Sequence, residues 1–246
     1  MPDTDFAAGL AAARSDLAAA LRWAARLGLN EGTCNHFSLQ VAPDRFLVNP
    51  WGPHWAEMRA SDLLLVDGAG KILEGKWPIE ETALFIHTQI HVRHPDALAV
   101  LHTHMPYATA LCSVEGGRIE PCVQTALRFY DRVAYDDDYN GLADGPAEGA
   151  RMAAKMDGKP VLFLANHGVI VAGPSVAEAF DELYYLERAA QAQVLAMSTG
   201  RPLKLVPGQL AKRTSRQMED GRKAYADVHF AALKRMLARA EPEFAT

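Results

Sequence analysis

The sequence predicts one layered domain in which helices flank a sheet of short strands. Helical periodicity occupies both ends of the chain. Short apolar runs separated by Pro, Gly and Asp fill the middle, and strand-like and helical segments alternate after them. The chain has 246 residues, 49% of them hydrophobic and 22% charged, enough for a substantial core. Residues 1–246 are therefore read as a single domain, with 207–246 as a C-terminal helical extension.

The elements follow in order. Residues 6–27 are Ala-rich, with Leu10, Leu17, Leu21 and Ala24 at helical spacing, and Gly28 stops them. Residues 37–41, 45–48 and 63–66 are apolar runs between turn residues and read as antiparallel strands, with a hairpin turn at Asp67-Gly68-Ala69-Gly70. A helix is expected over 80–93, just after Pro78, and a strand over 97–103. Pro106 opens a short helix to Cys112, and 143–156 is a further helix. Residues 161–165 and 169–172 are strands around a tight Asn166-His167-Gly168 link. Pro174 opens a helix to Met197, and 209–239 reads as one more long helical stretch, either packed back on the domain or reaching a neighbouring subunit.

Bulk properties narrow the function. A net charge of −5 argues against a dedicated nucleic-acid binder, which would carry a basic stripe. No run approaches the ~20 apolar residues of a membrane span. The start, Met1-Pro2-Asp3-Thr4-Asp5, is acidic and lacks the basic region of a signal peptide. Cys34, Cys112 and Cys122 are widely separated, without CxxC spacing, and read as reduced thiols. A cytoplasmic location is expected.

The candidate chemistry starts at His102 and His104. They close the apolar run Ala97-Leu98-Ala99-Val100-Leu101, and side chains two apart on a strand share a face. Two imidazoles aimed at one point suit a divalent transition metal. His167 offers a third. Three neutral imidazoles with an open position make a ligand set for catalytic zinc, manganese or iron. Glu81, on the helix leading into that strand, is either a fourth ligand or a general acid/base, and Glu80 competes with it for that role. His87 and His91, four apart on the same helix, read as packing residues.

The order of these motifs resembles the class II aldolase/adducin family. The resemblance rests on Gly32-Thr33-Cys34-Asn35-His36-Phe37-Ser38, on Glu81 through His91, on Arg93-His94-Pro95-Asp96, on His102-Thr103-His104 with Pro106-Tyr107, and on Asn166-His167-Gly168. It spans roughly residues 10 to 200. It implies a three-layer α/β/α sandwich with a central, mostly antiparallel sheet, assembled as a homotetramer with active sites at subunit interfaces. It also implies a divalent metal held by His102, His104 and His167 with Glu81. Zn2+ is the first expectation, with Mn2+, Fe2+ or Co2+ as alternatives.

Sugar-phosphate members of that family cradle phosphate with Gly-Asn, Thr-Gly and Ser-Ser pairs. Here Asn35-His36, Trp51-Gly52 and Ile79-Glu80 stand in those places. An indole and a carboxylate there disfavour a phosphate dianion. The expected substrate is a small unphosphorylated oxo- or hydroxy-acid or an aromatic carboxylate, contacted by Asn35, His36, Trp51 and Gly52, with His36 a candidate for binding a carboxylate. The expected reaction is C–C cleavage, by retro-aldol reaction or decarboxylation, through an enolate stabilised by the metal. Glu81 would move protons, and Tyr139 or Tyr135 would protonate a leaving group. Two alternatives stay open: a non-catalytic adducin-like scaffold, and a sugar-phosphate aldolase or epimerase if the loops align differently.

Overall fold

The computed structural model describes residues 2–246, with side chains from Phe6 onward; Met1 of the acidic N-terminal segment lies outside the described residues. The strands are β1 (His36–Ala42), β2 (Arg45–Val48), β3 (Leu64–Asp67), β4 (Ile72–Glu74), β5 (Ala99–Thr103), β6 (Val133–Asp136), β7 (Val161–Leu164) and β8 (Gly168–Gly173). The helices are α1 (Pro2–Arg26), α2 (Glu81–Arg93), α3 (Pro106–Cys112), α4 (Pro146–Lys155), α5 (Val176–Met197), α6 (Gly208–Glu219) and α7 (Arg222–Ala240).

All eight strands form one sheet in the order β4-β3-β2-β1-β5-β8-β7-β6. Every pairing is antiparallel except β6 with β7, as expected for a mostly antiparallel sheet. Alternation along the strands sorts side chains between two faces. Ala99, Leu101, Val161, Phe163, Val169 and Val171 join the core beneath α1, α3, α5 and α7. Val100, Leu162, Leu164, Ile170 and Ala172 face the opposite way, onto Ile86 and Ile90 of α2 and Met152 and Ala153 of α4. The result is the three-layer α/β/α sandwich.

Close contacts fix the helices that frame the site. Glu80 caps α2 by accepting a bond from the Ala83 N–H at 3.0 Å, a contact worth about 1 kcal/mol. A Cβ on Gly149 of α4 would sit 1.9 Å from the Phe85 carbonyl oxygen, so only glycine lets α4 pack this closely on α2. Helix α3 has no side-chain cap of its own. Glu187 of α5 takes that role, accepting bonds from the Tyr107 and Ala108 N–H groups at 2.9 Å each.

The two ends of the chain are tied together. The buried Arg22 guanidinium donates to Glu241 at 2.6 Å, to Glu243 at 2.9 Å and to the Met58 carbonyl at 2.7 Å. Arg26 also pairs with Glu241, and the Ser61 N–H donates to the Thr246 carbonyl at 2.9 Å.

Some elements differ from expectation. The sequence signals neither β4 nor β6. β4 is three residues long with an exposed edge, and the apolar signal of β6 is masked by Asp131-Arg132 before it and Asp136-Asp137-Asp138 at its end. The helix expected from residue 143 starts at Pro146, where Gly145 breaks the periodicity. The long stretch over 209–239 is two helices, because Asp220-Gly221 interrupts it. The turn at Asp67 forms as expected, with its carboxylate accepting bonds from the Ala69 and Lys71 N–H groups.

Candidate metal centre and its histidine network

The three central strands β1, β5 and β8 end together at one edge of the sandwich. His36 of β1 lies directly opposite His102 of β5, and Thr103 opposite Val169 of β8. His102, His104 and His167 meet there, with one candidate ligand atom from each lying within 4.8 Å of the others. The local backbone explains the placement. Asn166 takes a left-handed conformation at φ 56°, which asparagine tolerates, and this turns His167 back toward β5. A Cβ on Gly168 would lie 2.6 Å from the Thr103 carbonyl oxygen, so the chain must be bare where β8 meets the end of β5.

Second contacts fix the ring tautomers. His102 donates Nδ1–H to the Val169 carbonyl at 3.0 Å, and His104 donates Nδ1–H to the Glu31 carboxylate at 2.6 Å. Each ring then presents a bare Nε2, and the two Nε2 atoms are 3.2 Å apart. Two lone pairs facing each other at that distance repel unless a cation or a proton lies between them. A carboxylate or carbonyl behind each imidazole is also the outer support that metal-bound histidines use. The donor set therefore fits a divalent metal. His167 is pushed down to about 4, first by burial and then by His104, which keeps it neutral as a ligand must be.

A further row of histidines continues behind this cluster. His36 packs against His102 with ring centroids 4.8 Å apart, and its Nδ1 lies 2.7 Å from Nε2 of His87. His87 Nδ1 is 2.5 Å from Ser38 Oγ, which is 2.7 Å from His91 Nε2, and His91 Nδ1 is 2.7 Å from the Ala97 carbonyl. Burial is the largest cause lowering each of these imidazoles, His36 to about 3 and His91 to about 4, with His87 well below its ordinary value.

The other expected residues are placed as follows. Asn35 is buried beside the site; its Oδ1 accepts bonds from the N–H groups of Glu31 and His104, and its Nδ2 has no partner among the described residues. Glu81 opens α2 and is exposed. Glu80 is the nearer carboxylate, with Oε2 3.9 Å from His36 Nε2. Trp51 is 54% exposed on the loop after β2, whose backbone is tied by the Trp51 N–H to the Pro78 carbonyl at 2.9 Å. Gly52, next to it, lines an open groove with Arg59, Lys76 and Trp77. Tyr139, on the segment after β6, is 53% exposed. Tyr135 holds a loop instead. Its hydroxyl accepts a bond from the Ile119 N–H at 3.1 Å, and burial pushes it up to about 12. The Cys112 thiol, also pushed up to about 12 by burial, is a core group rather than a nucleophile.

Sequence reasoning missed Glu31, because nothing in the spacing from Glu31 to His104 announces their contact. Ser38 is likewise unmarked in the sequence. The strand that carries Ser38 and the i, i+4 spacing of His87 and His91 are each legible there, but their meeting is not.

Comparison with known proteins gives the family and the fold. Residues 15–194 match the family model described as Class II Aldolase and Adducin N-terminal domain. A protein of Pseudomonas aeruginosa named as a class 2 aldolase is 36% identical, over 80% of this chain and 76% of its own. The decarboxylase NovR of Streptomyces niveus is 30% identical, over 93% of this chain and 85% of its own. A crystal structure of an aldolase II superfamily protein from Pseudomonas syringae superposes with a TM-score of 0.90 at 33% identity, covering 96% of each chain.

Proposed function

This chain belongs to the class II aldolase and adducin family, and from that premise we propose that it is a divalent-metal-dependent lyase. Its substrate on this reading is a small unphosphorylated oxo- or hydroxy-acid or an aromatic carboxylate, cleaved at a C–C bond. The convergence of bare Nε2 atoms from His102 and His104, with His167 beside them, carries the reading. His102, His104 and His167 would hold the metal, Zn2+ before Mn2+, Fe2+ or Co2+. The bound cation would supply Lewis-acid stabilisation of the negative charge left when the bond breaks.

The remaining groups belong to the chain itself. Glu31 and the Val169 carbonyl hold two of the imidazoles in register. Asn35 offers its unpartnered Nδ2–H to a substrate oxygen. A carboxylate at the start of α2, Glu80 or Glu81, moves the proton; Glu80 is supported by its nearness to His36. The same carboxylate opposes a phosphate dianion, which supports an unphosphorylated substrate. The exposed Trp51, Gly52 and Tyr139 would act by closing over the substrate, with Tyr139 protonating the leaving group, where a neighbouring subunit covers them in a homotetramer. The chain is taken as one cytoplasmic domain, with 207–246 as its helical extension. No helix among the described residues is long and apolar enough to cross a membrane.

The test is elemental analysis of protein purified without chelator or histidine tag. About one zinc, manganese, iron or cobalt per chain is expected, lost in His102→Ala and His167→Ala while both stay folded. Absence of metal in the wild type, with no uptake on titration, refutes the lyase reading and leaves the adducin-like scaffold.

A further inference from the structure

The row of groups behind the site has only one direction in which its hydrogen bonds can run. A carbonyl oxygen only accepts, so His91 must donate Nδ1–H to Ala97. A neutral His91 then has a bare Nε2, and Ser38 must donate its hydroxyl proton to it. The Ser38 oxygen therefore accepts from His87 Nδ1–H, His87 Nε2 is bare, and His36 Nδ1–H donates to it. His36 is left with an unprotonated Nε2 on its other edge. The reverse direction requires a doubly protonated His91. That cation would be buried against the Phe46 ring, centroids 5.0 Å apart, and among the described residues no carboxylate pairs with it.

Among the described residues, no hydrogen bond reaches His36 Nε2. It faces Glu80 Oε2 at 3.9 Å, too far for a bond. That carboxylate already accepts bonds from Thr82 Oγ1–H and the Ala83 N–H. Two acceptors therefore face each other beside the three-histidine cluster.

We propose that Ser38, His87 and His91 are positioning residues that lock His36 as a hydrogen-bond acceptor, and that His36 thereby selects substrates carrying a hydroxyl group at that point. This rests on the lyase reading only for the word substrate; the locked tautomer does not depend on it. A hydroxyl donates to Nε2 and gains a bond there. A carboxylate, which only accepts, gains nothing and meets the lone pair of Nε2 and the charge of Glu80. The acid group of the substrate therefore lies elsewhere in the site, and the hydroxyl points at His36. Burial of the whole row keeps it neutral and so keeps its direction fixed.

Two measurements test this. Long-range proton–nitrogen NMR of histidine-labelled protein reads each tautomer directly, with or without metal. His36, His87 and His91 are all expected as Nδ1–H. A wild-type His36 protonated at Nε2 overturns the proposal, and no variant has to fold for that result. In Ser38→Ala the row is cut, and His36 is expected to populate both tautomers; Ser38→Thr keeps the hydroxyl and is expected to restore the single form. Calorimetry of the metal-loaded protein then compares glycolate with acetate, which differ by one hydroxyl. Binding selects the acceptor tautomer, so the preference for glycolate is expected to fall in Ser38→Ala by the fraction of that form lost, about twofold when the two forms are equal. An unchanged ratio overturns the selection of a hydroxyl. If the protein takes up no metal, the lyase reading fails, while the tautomer result still decides the locking.

Discussion

Gly168→Ala tests how the fold holds the three histidines together. The added Cβ would lie 2.6 Å from the Thr103 carbonyl oxygen and 2.8 Å from His104 Cδ2. The first contact is about 0.8 Å short of ordinary van der Waals separation, and the atom it meets is backbone. Neither side can yield cheaply. Thr103 is in register with Val169, and Gly168 with Leu164, so moving Gly168 strains two strand pairings at once. Overpacking of this kind costs about 1–3 kcal/mol. In a chain this long that lowers the melting temperature by roughly 2–4 °C per kcal/mol. The second contact pushes His104 away from His102 and His167. Loss of ligand orientation typically weakens metal binding about 10–100-fold. The assay is metal titration against a chromophoric chelator, with thermal melts of the metal-free protein alongside. Wild-type affinity within twofold, together with an unchanged melting temperature, would refute the claim that the bare glycine is what lets β8 close on the site.

Other expectations follow from the same geometry. Glu31→Gln removes the charge behind His104 and is expected to weaken metal binding about tenfold or more while leaving the fold intact, as read by the same chelator competition. Glu187→Gln leaves one N–H of α3 facing an amide NH2 group and is expected to cost about 1–3 kcal/mol, read from the denaturant midpoint. The metal-free protein is expected to lose stability on acidification. His36, His91 and His167 are held at about 3, 4 and 4 in the fold, and His87 and His102 well below the ordinary 6.5. As the pH falls through 6.5 the unfolded chain takes up protons that the folded chain refuses. Stability is therefore full above 6.5 and drops below it, by roughly 1 kcal/mol per pH unit for each such histidine. Equal urea midpoints at pH 7 and pH 5.5 would contradict this.

What could be read from the sequence followed from strong local signals. The i, i+2 histidine pair at the end of an apolar run placed two side chains on one point, and the Asn166-His167-Gly168 link supplied the turn that brings the third. The capped helices after Pro78 and Pro174 were legible for similar reasons. The missing pieces depend on contacts distant in the chain. Glu31 reaches His104 across 73 residues, and Ser38 reaches His91 across 53. No periodicity encodes such a meeting; it exists only once β1 lies beside β5 and under α2. Which of Glu80 and Glu81 faces inward was equally hidden, because it depends on where the first turn of α2 begins. The N-cap position of Glu80 turns its carboxylate back toward β1, while Glu81, one residue later, points out to water.

The tie between Arg22 and the last residues of the chain has a consequence for how the molecule opens. Helix ends and C-terminal turns ordinarily fray with little cost, and their amides exchange with solvent quickly. Here fraying of Glu241 together with the 3₁₀ turn at Pro242–Ala245 would strip both carboxylates from a guanidinium that is only 4% exposed. An unpaired buried charge is expensive, so that turn cannot peel away alone. Helix α1, the turns around Met58 and the final residues should instead open as one cooperative unit, with the Leu21 and Phe244 amides exchanging hydrogen for deuterium at a shared, slow rate although 223 positions separate them.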